Sequence, residues 1–141
     1  MKKKVIVSLL MLVGGIVLFF DSADAATVFS YDGTGIRNWD SKGRNNIAKG
    51  KKVSVKHTQS KWSNSNTQQA KTMKITLRRK NTVGYTNVGN VSYSGNVTNS
   101  SKVLNSKLGT AGTHYLRFDS TKPAGATANP TANIKGVLST N

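Results

Sequence analysis

Thr72-Met73-Lys74-Ile75-Thr76-Leu77-Arg78-Arg79-Lys80 decides the fold class. Met73, Ile75 and Leu77 alternate with Thr72, Lys74, Thr76 and Arg78, so every second side chain is apolar. That period matches a pleated strand, whose successive side chains leave opposite faces, and not a helical repeat. The apolar row is expected to enter a core, and Lys74, Arg78 and Lys80 to line the wet face. Arg79 sits at the end, where twist brings it round.

The same alternation recurs on both sides. Upstream, Lys52 to Gln59 places Val53, Val55 and His57 on one face and Lys52 and Lys56 on the other. Downstream, Thr113 to Phe118 turns Leu116 and Phe118 inward and Tyr115 and Arg117 outward, with the reverse parity as the alternative because Tyr115 is itself aromatic. Asn133 to Ser139 reads as a closing strand. Val28 to Tyr31 forms a first strand, ended by the turn-like Asp32-Gly33-Thr34-Gly35. Short strands are expected over Val83 to Tyr85, Asn87 to Tyr93, Val97 and Lys102 to Asn105. Ile36 to Lys49 has no sustained period, and Ser41 to Asn46 is expected to stay wet. Lys61 to Thr67 and Lys122 to Pro130 read as loops, the latter because its two prolines cannot donate to a central ladder.

Composition agrees. Glu is absent, and Thr, Ser and Asn, which compete for backbone hydrogen bonds in a helix, are abundant throughout. Seven or eight short strands without crossover helices predict an all-β, antiparallel, jelly-roll-like sandwich, with a small barrel as the alternative. Gly112-Thr113-His114-Tyr115-Leu116-Arg117-Phe118 and Ala132-Asn133-Ile134-Lys135-Gly136-Val137-Leu138 resemble the last two strands of small secreted bacterial β-sandwich modules, with His114 in place of the first aromatic of that pattern. The resemblance covers the last quarter of the chain and implies such a fold and secretion. Those modules include carbohydrate-binding, adhesive and accessory domains.

The first segment of the 141-residue chain has the plan of a secretory leader. Lys2, Lys3 and Lys4 precede the apolar run Val5 to Phe20, and Ala23 and Ala25 occupy the small-residue positions of a cleavage site. Residues 1–25 are expected to be a signal peptide cleaved after Ala25, and 26–141 one secreted domain; the alternative is a membrane anchor through Val5 to Phe20. The whole chain carries 21 Lys and Arg against 5 acidic residues, a net +16. Three of those basic and two of those acidic residues precede Ala26, leaving 18 against 3 and a net +15. Such a surface attracts polyanions.

Catalytic materials are few. There is no Cys for a thiol nucleophile or thiolate metal site. Asp32, Asp40 and Asp119 are the carboxylates left for paired-carboxylate hydrolysis. No nucleophile-elbow motif accompanies His57 or His114, which read as strand residues, and no metal-ligand spacing occurs. The expectation is a non-enzymatic protein with no cofactor that associates with cell-wall polymer, anionic lipid or nucleic acid, in the manner of a cationic antibacterial or competition factor. A carbohydrate- or matrix-binding module is the alternative, and a small secreted hydrolase the distant one. Lys52, Lys56, Lys74, Arg78 and Lys80 form one polyanion face if their two strands are neighbours in a sheet, with hydroxyls between the charges. Trp39 and Trp62, both expected in loops, are candidate ligand contacts, with plugging the ends of the sandwich as their structural alternative.

Overall fold

The computed structural model describes residues 25–63, 71–122 and 124–141, so the expected leader lies almost wholly outside the described residues. Numbered in chain order, the strands are β1 (Ala26–Ile36), β2 (Asn38–Asp40), β3 (Asn45–Ile47), β4 (Val53–Ser60), β5 (Thr72–Lys80), β6 (Tyr85–Ser94), β7 (Val97–Asn105), β8 (Gly112–Thr121) and β9 (Ala132–Thr140). No helix among the described residues is long and apolar enough to cross a membrane.

The strands form two antiparallel sheets, ordered β1-β9-β4-β7 and β2-β8-β5-β6, with β3 also pairing β8. β2 pairs Asp119 to Arg117 and β3 pairs His114 to Gly112, so the two short strands follow one another along the same edge of β8. Ser41 bridges them. Its N–H donates to the Leu116 carbonyl at 2.8 Å, and its Oγ accepts the Leu116 N–H at 3.0 Å, standing in for a ladder carbonyl. Counted as one interrupted strand, β2 and β3 complete the eight-strand, two-sheet order of a jelly roll.

The alternating stretch is β5 from end to end, and Met73, Ile75 and Leu77 are fully buried. They meet Val53 and Val55 of β4, Leu116 and Phe118 of β8, and Ile134 and Leu138 of β9 in one core between the sheets. Full burial of such side chains contributes about 1.5–3 kcal/mol each before entropy is counted. Leu108, 1 % exposed, plugs the end beside Gly50 and Lys51.

Four local expectations are corrected. Asp32-Gly33-Thr34-Gly35 is not a turn: β1 continues through it, with Asp32 opposite Lys135 and Gly33 opposite Ile134. The glycines serve a bulge instead. Gly35 takes φ +66°, and the Ile36 side chain occupies the space a Cβ on Gly33 would need. Ser41 is buried rather than wet, and Asn45 to Ile47 is strand. Tyr85 to Ser94 and Val97 to Asn105 are each continuous strands.

Candidate functional site

The expected basic face depended on β4 and β5 being neighbours, and they lie in opposite sheets. Lys56 projects from the outer face of the β1-β9-β4-β7 sheet, while Lys74 and Arg78 project from the other outer face. Alternation reveals which side of a strand is wet, but not which sheet it joins.

The outer face around β5 also carries its own counter-charges. Arg117 Nε donates to Asp119 Oδ1 at 2.9 Å, and Arg117 Nη1 to Asp40 at 3.5 Å. Arg78 lies 3.8 Å from the same Asp40 oxygen. Burial alone would lower the Arg117 pKa, but Asp119 and then Asp40 raise it. Lys74 stands opposite Asp119. Arg44 lies over the Tyr115 ring at 4.1 Å and Arg78 over Tyr85 at 3.7 Å, so Arg78 is held between a carboxylate and an aromatic face.

Lys52 and Lys80 are placed elsewhere, at one end of the sandwich. There Lys52 pairs with the Asn141 backbone just before β4, and Lys80 ends β5. Gly50 donates to the Leu108 carbonyl and Leu108 to the Lys51 carbonyl, both at 2.8 Å, which draws the β3–β4 and β7–β8 connections together. Exposed Lys49, Lys51, Lys52 and Lys107 therefore share this end with Lys80. Arg79 joins them at the mouth, its stem lying over Gly112. Among the described residues none of these six cations has a carboxylate within 4 Å. Asp32 and Asp119 stand opposite Lys135 and Asn38 toward the other end of their strands, while Asp40 stands opposite Arg117 near mid-strand and reaches Arg78.

Four of the six lie outside the expected face: Arg79 reads only as the end of its strand, and Lys49, Lys51 and Lys107 are not candidates from the sequence at all. These three lysines lie in connections without periodicity, and only the pairing of Gly50 and Lys51 with Leu108 shows that those connections meet.

Both tryptophans pack against the core. Trp39 belongs to β2 rather than a loop, its ring 5.4 Å from Phe118. Trp62 does lie in a connection, and its Nε1–H donates to the Gly95 carbonyl at 3.1 Å. Trp39 stands on the β1–β2 side and Trp62 against the β6–β7 turn, on opposite sides of the sandwich. They share no site.

His57 and His114 are fully buried. Gln59 Nε2 donates to the carbonyls of Tyr93 and Gly95, at 3.0 and 2.6 Å, so its Oε1 is the acceptor facing His57 Nε2. His57 Nε2 therefore carries the proton, and Nδ1 accepts the Tyr31 hydroxyl at 2.7 Å. Burial pushes the His57 pKa down to about 4 against the raising effect of Gln59. It pushes Tyr31 well above the phenol range, with Tyr93 adding to the effect, and Tyr93 itself up to about 12. His114 Nδ1–H donates to the Gly112 carbonyl at 2.6 Å, and its Nε2 has no partner among the described residues. Its pKa is lowered, first by burial and also by the Arg79 charge. Among the described residues, no three His or Asp side chains converge as metal ligands.

Comparison of the chain with family models, with curated proteins and with solved structures finds no match.

Proposed function

We propose that this is a secreted, non-enzymatic protein that holds phosphate-bearing polymers of the cell surface through the lysine-rich end of its sandwich. One observation carries the proposal: Lys49, Lys51, Lys52, Arg79, Lys80 and Lys107 gather at the end of the sandwich where the β3–β4 and β7–β8 connections meet, with no carboxylate side chain within 4 Å of any of them among the described residues. Single exposed cations contribute little in water, but several facing one polyanion act together. The face first expected, around Lys74 and Arg78, is a weaker candidate because Asp40 and Asp119 already satisfy its guanidinium groups. Buried, neutral His57 and arginine-bound Asp40 and Asp119 support a binding role over acid–base chemistry. Wall teichoic acid, phosphatidylglycerol bilayers and DNA share the phosphate chemistry, and a cationic antibacterial or competition factor would act through it. The test is sedimentation of the protein with vesicles of phosphatidylglycerol or phosphatidylcholine, and gel shift with teichoic acid and DNA, over a salt series. Association with the anionic probes that weakens steeply with salt is expected. Absence of association with all of them at physiological salt would remove the proposal.

A further inference from the structure

The outer face of the β1-β9-β4-β7 sheet holds a shallow groove of about 440 Å³ whose chemistry is unlike the rest of the molecule. Its floor is a cross-strand row: Asp32 of β1 stands opposite Lys135 of β9, Lys135 opposite Thr58 of β4, and the Asn99 N–H of β7 donates to Thr58 Oγ1 at 2.9 Å. The row crosses all four strands, roughly 14 Å at the usual strand spacing. Asn99 takes φ +48°, and its side-chain oxygen accepts from Thr58 Oγ1 at 3.5 Å. In a protein with so large an excess of positive charge this groove is balanced, one carboxylate against one ammonium.

Asp32 is also the available carboxylate. Asp40 and Asp119 are bound by arginine, whereas the Asp32 side chain makes no hydrogen bond or ion pair among the described residues. On the other side of β1 a smaller cleft of about 160 Å³ shares Ser30, Tyr31 and Asp32 with the groove, and its far wall includes Trp39 and Lys42. Exposed Asp32 thus stands between a row of mixed donors and acceptors and a half-buried indole.

We infer that this groove binds a short, uncharged oligosaccharide. A sugar chain presents hydroxyls that both donate and accept, together with apolar ring faces. The Asp32 carboxylate that accepts, the Lys135 ammonium and the Asn99 side-chain amide that donate, and the apolar stretch at Gly136 and Val137 match that pattern, with the Trp39 indole in the adjoining cleft across β1. A phosphate polymer is not the fitting ligand, because Asp32 repels it from the centre of the groove. The site is independent of the lysine-rich end, and salt separates the two: screening weakens phosphate binding and leaves a neutral sugar in place.

The test is a nitrogen-15 NMR titration of the unsubstituted protein with chitotetraose, cellotetraose and maltotetraose, at low and high salt. At least one should move the amides of Asp32, Asn99 and Lys135 and the Trp39 indole signal saturably, equally at both salt levels. Asp32→Ala and Asn99→Ala should each weaken binding about tenfold or more, corresponding to about 1.4 kcal/mol. Ser54→Ala, on the same face outside the groove, should leave it unchanged. No saturable shift with any of the three sugars, shifts centred on Lys49 to Lys52, or equal effects of Asp32→Ala and Ser54→Ala would each overturn the inference. Asp32 has no partner to lose, so its removal leaves the fold intact, and amide dispersion of the variant confirms that.

Discussion

His57 lies in the core with both ring nitrogens hydrogen-bonded. Its two nitrogens are committed in opposite senses, one accepting from Tyr31 and one donating to Gln59, so only the neutral ring fits. Tyr31→Phe strands the Nδ1 lone pair in the core, and should lower stability by about 1–3 kcal/mol in urea unfolding. Gly136 belongs to the same construction, since a Cβ there would strike the Tyr31 hydroxyl and the Lys56 carbonyl. The pH dependence follows from the direction of the His57 shift. Above the unfolded value of about 6.5 neither state is protonated at this ring, and its contribution to stability is intact. As pH falls from there toward the folded value of about 4, the unfolded chain takes up a proton that the native state refuses, and stability declines. The loss is on the order of 3 kcal/mol for His57. Urea midpoints should drop between pH 7 and pH 4.5, and His57→Gln should flatten the slope, leaving the smaller contribution of His114.

Among the elements, the interrupted edge of β8 makes the sharpest claim. Ser41→Ala removes the hydroxyl that receives the Leu116 N–H, leaving a buried donor unpaired at a cost of about 1–3 kcal/mol. Hydrogen exchange at the Leu116 amide should accelerate well beyond that at Ile75 or Leu77. Leu116→Asp, which buries an unpaired carboxylate at a fully buried position, should abolish the β-sheet circular dichroism of the protein. A stability change below about 0.5 kcal/mol would contradict the burial of Leu116. Strands with a clean alternation were legible from their residues: β5 and β4 lie within a residue of where Met73 and Val53 predict them, and β8 starts within a residue of its expected place but runs three residues past Phe118. Three other elements were not. In β1, Gly33 and Gly35 have the composition of a turn, and only pairing with β9 makes them a bulged strand. In β2 and β3, three residues each are too few to show a period, and the join depends on one serine hydroxyl.

For the whole molecule, net charge was plain from composition, but its arrangement depends on sheet assignment. Lys52, Lys56, Lys74, Arg78 and Lys80 read as one face and are divided among two outer faces and one end. Two of the three Asp residues among the described residues fall beside the arginines of β5 and β8, a placement that residue spacing does not encode. Among the described residues the lysine-rich end groups six cations, none of them paired with a carboxylate side chain. Its role is tested most directly by charge reversal at constant net charge, Lys49, Lys51 and Lys107 to Glu against Lys56, Lys61 and Lys122 to Glu, with folding of both checked by circular dichroism. Binding to phosphatidylglycerol vesicles at low salt should fall about tenfold or more for the first triple variant and far less for the second. Equal losses would contradict a localised site and leave only diffuse charge.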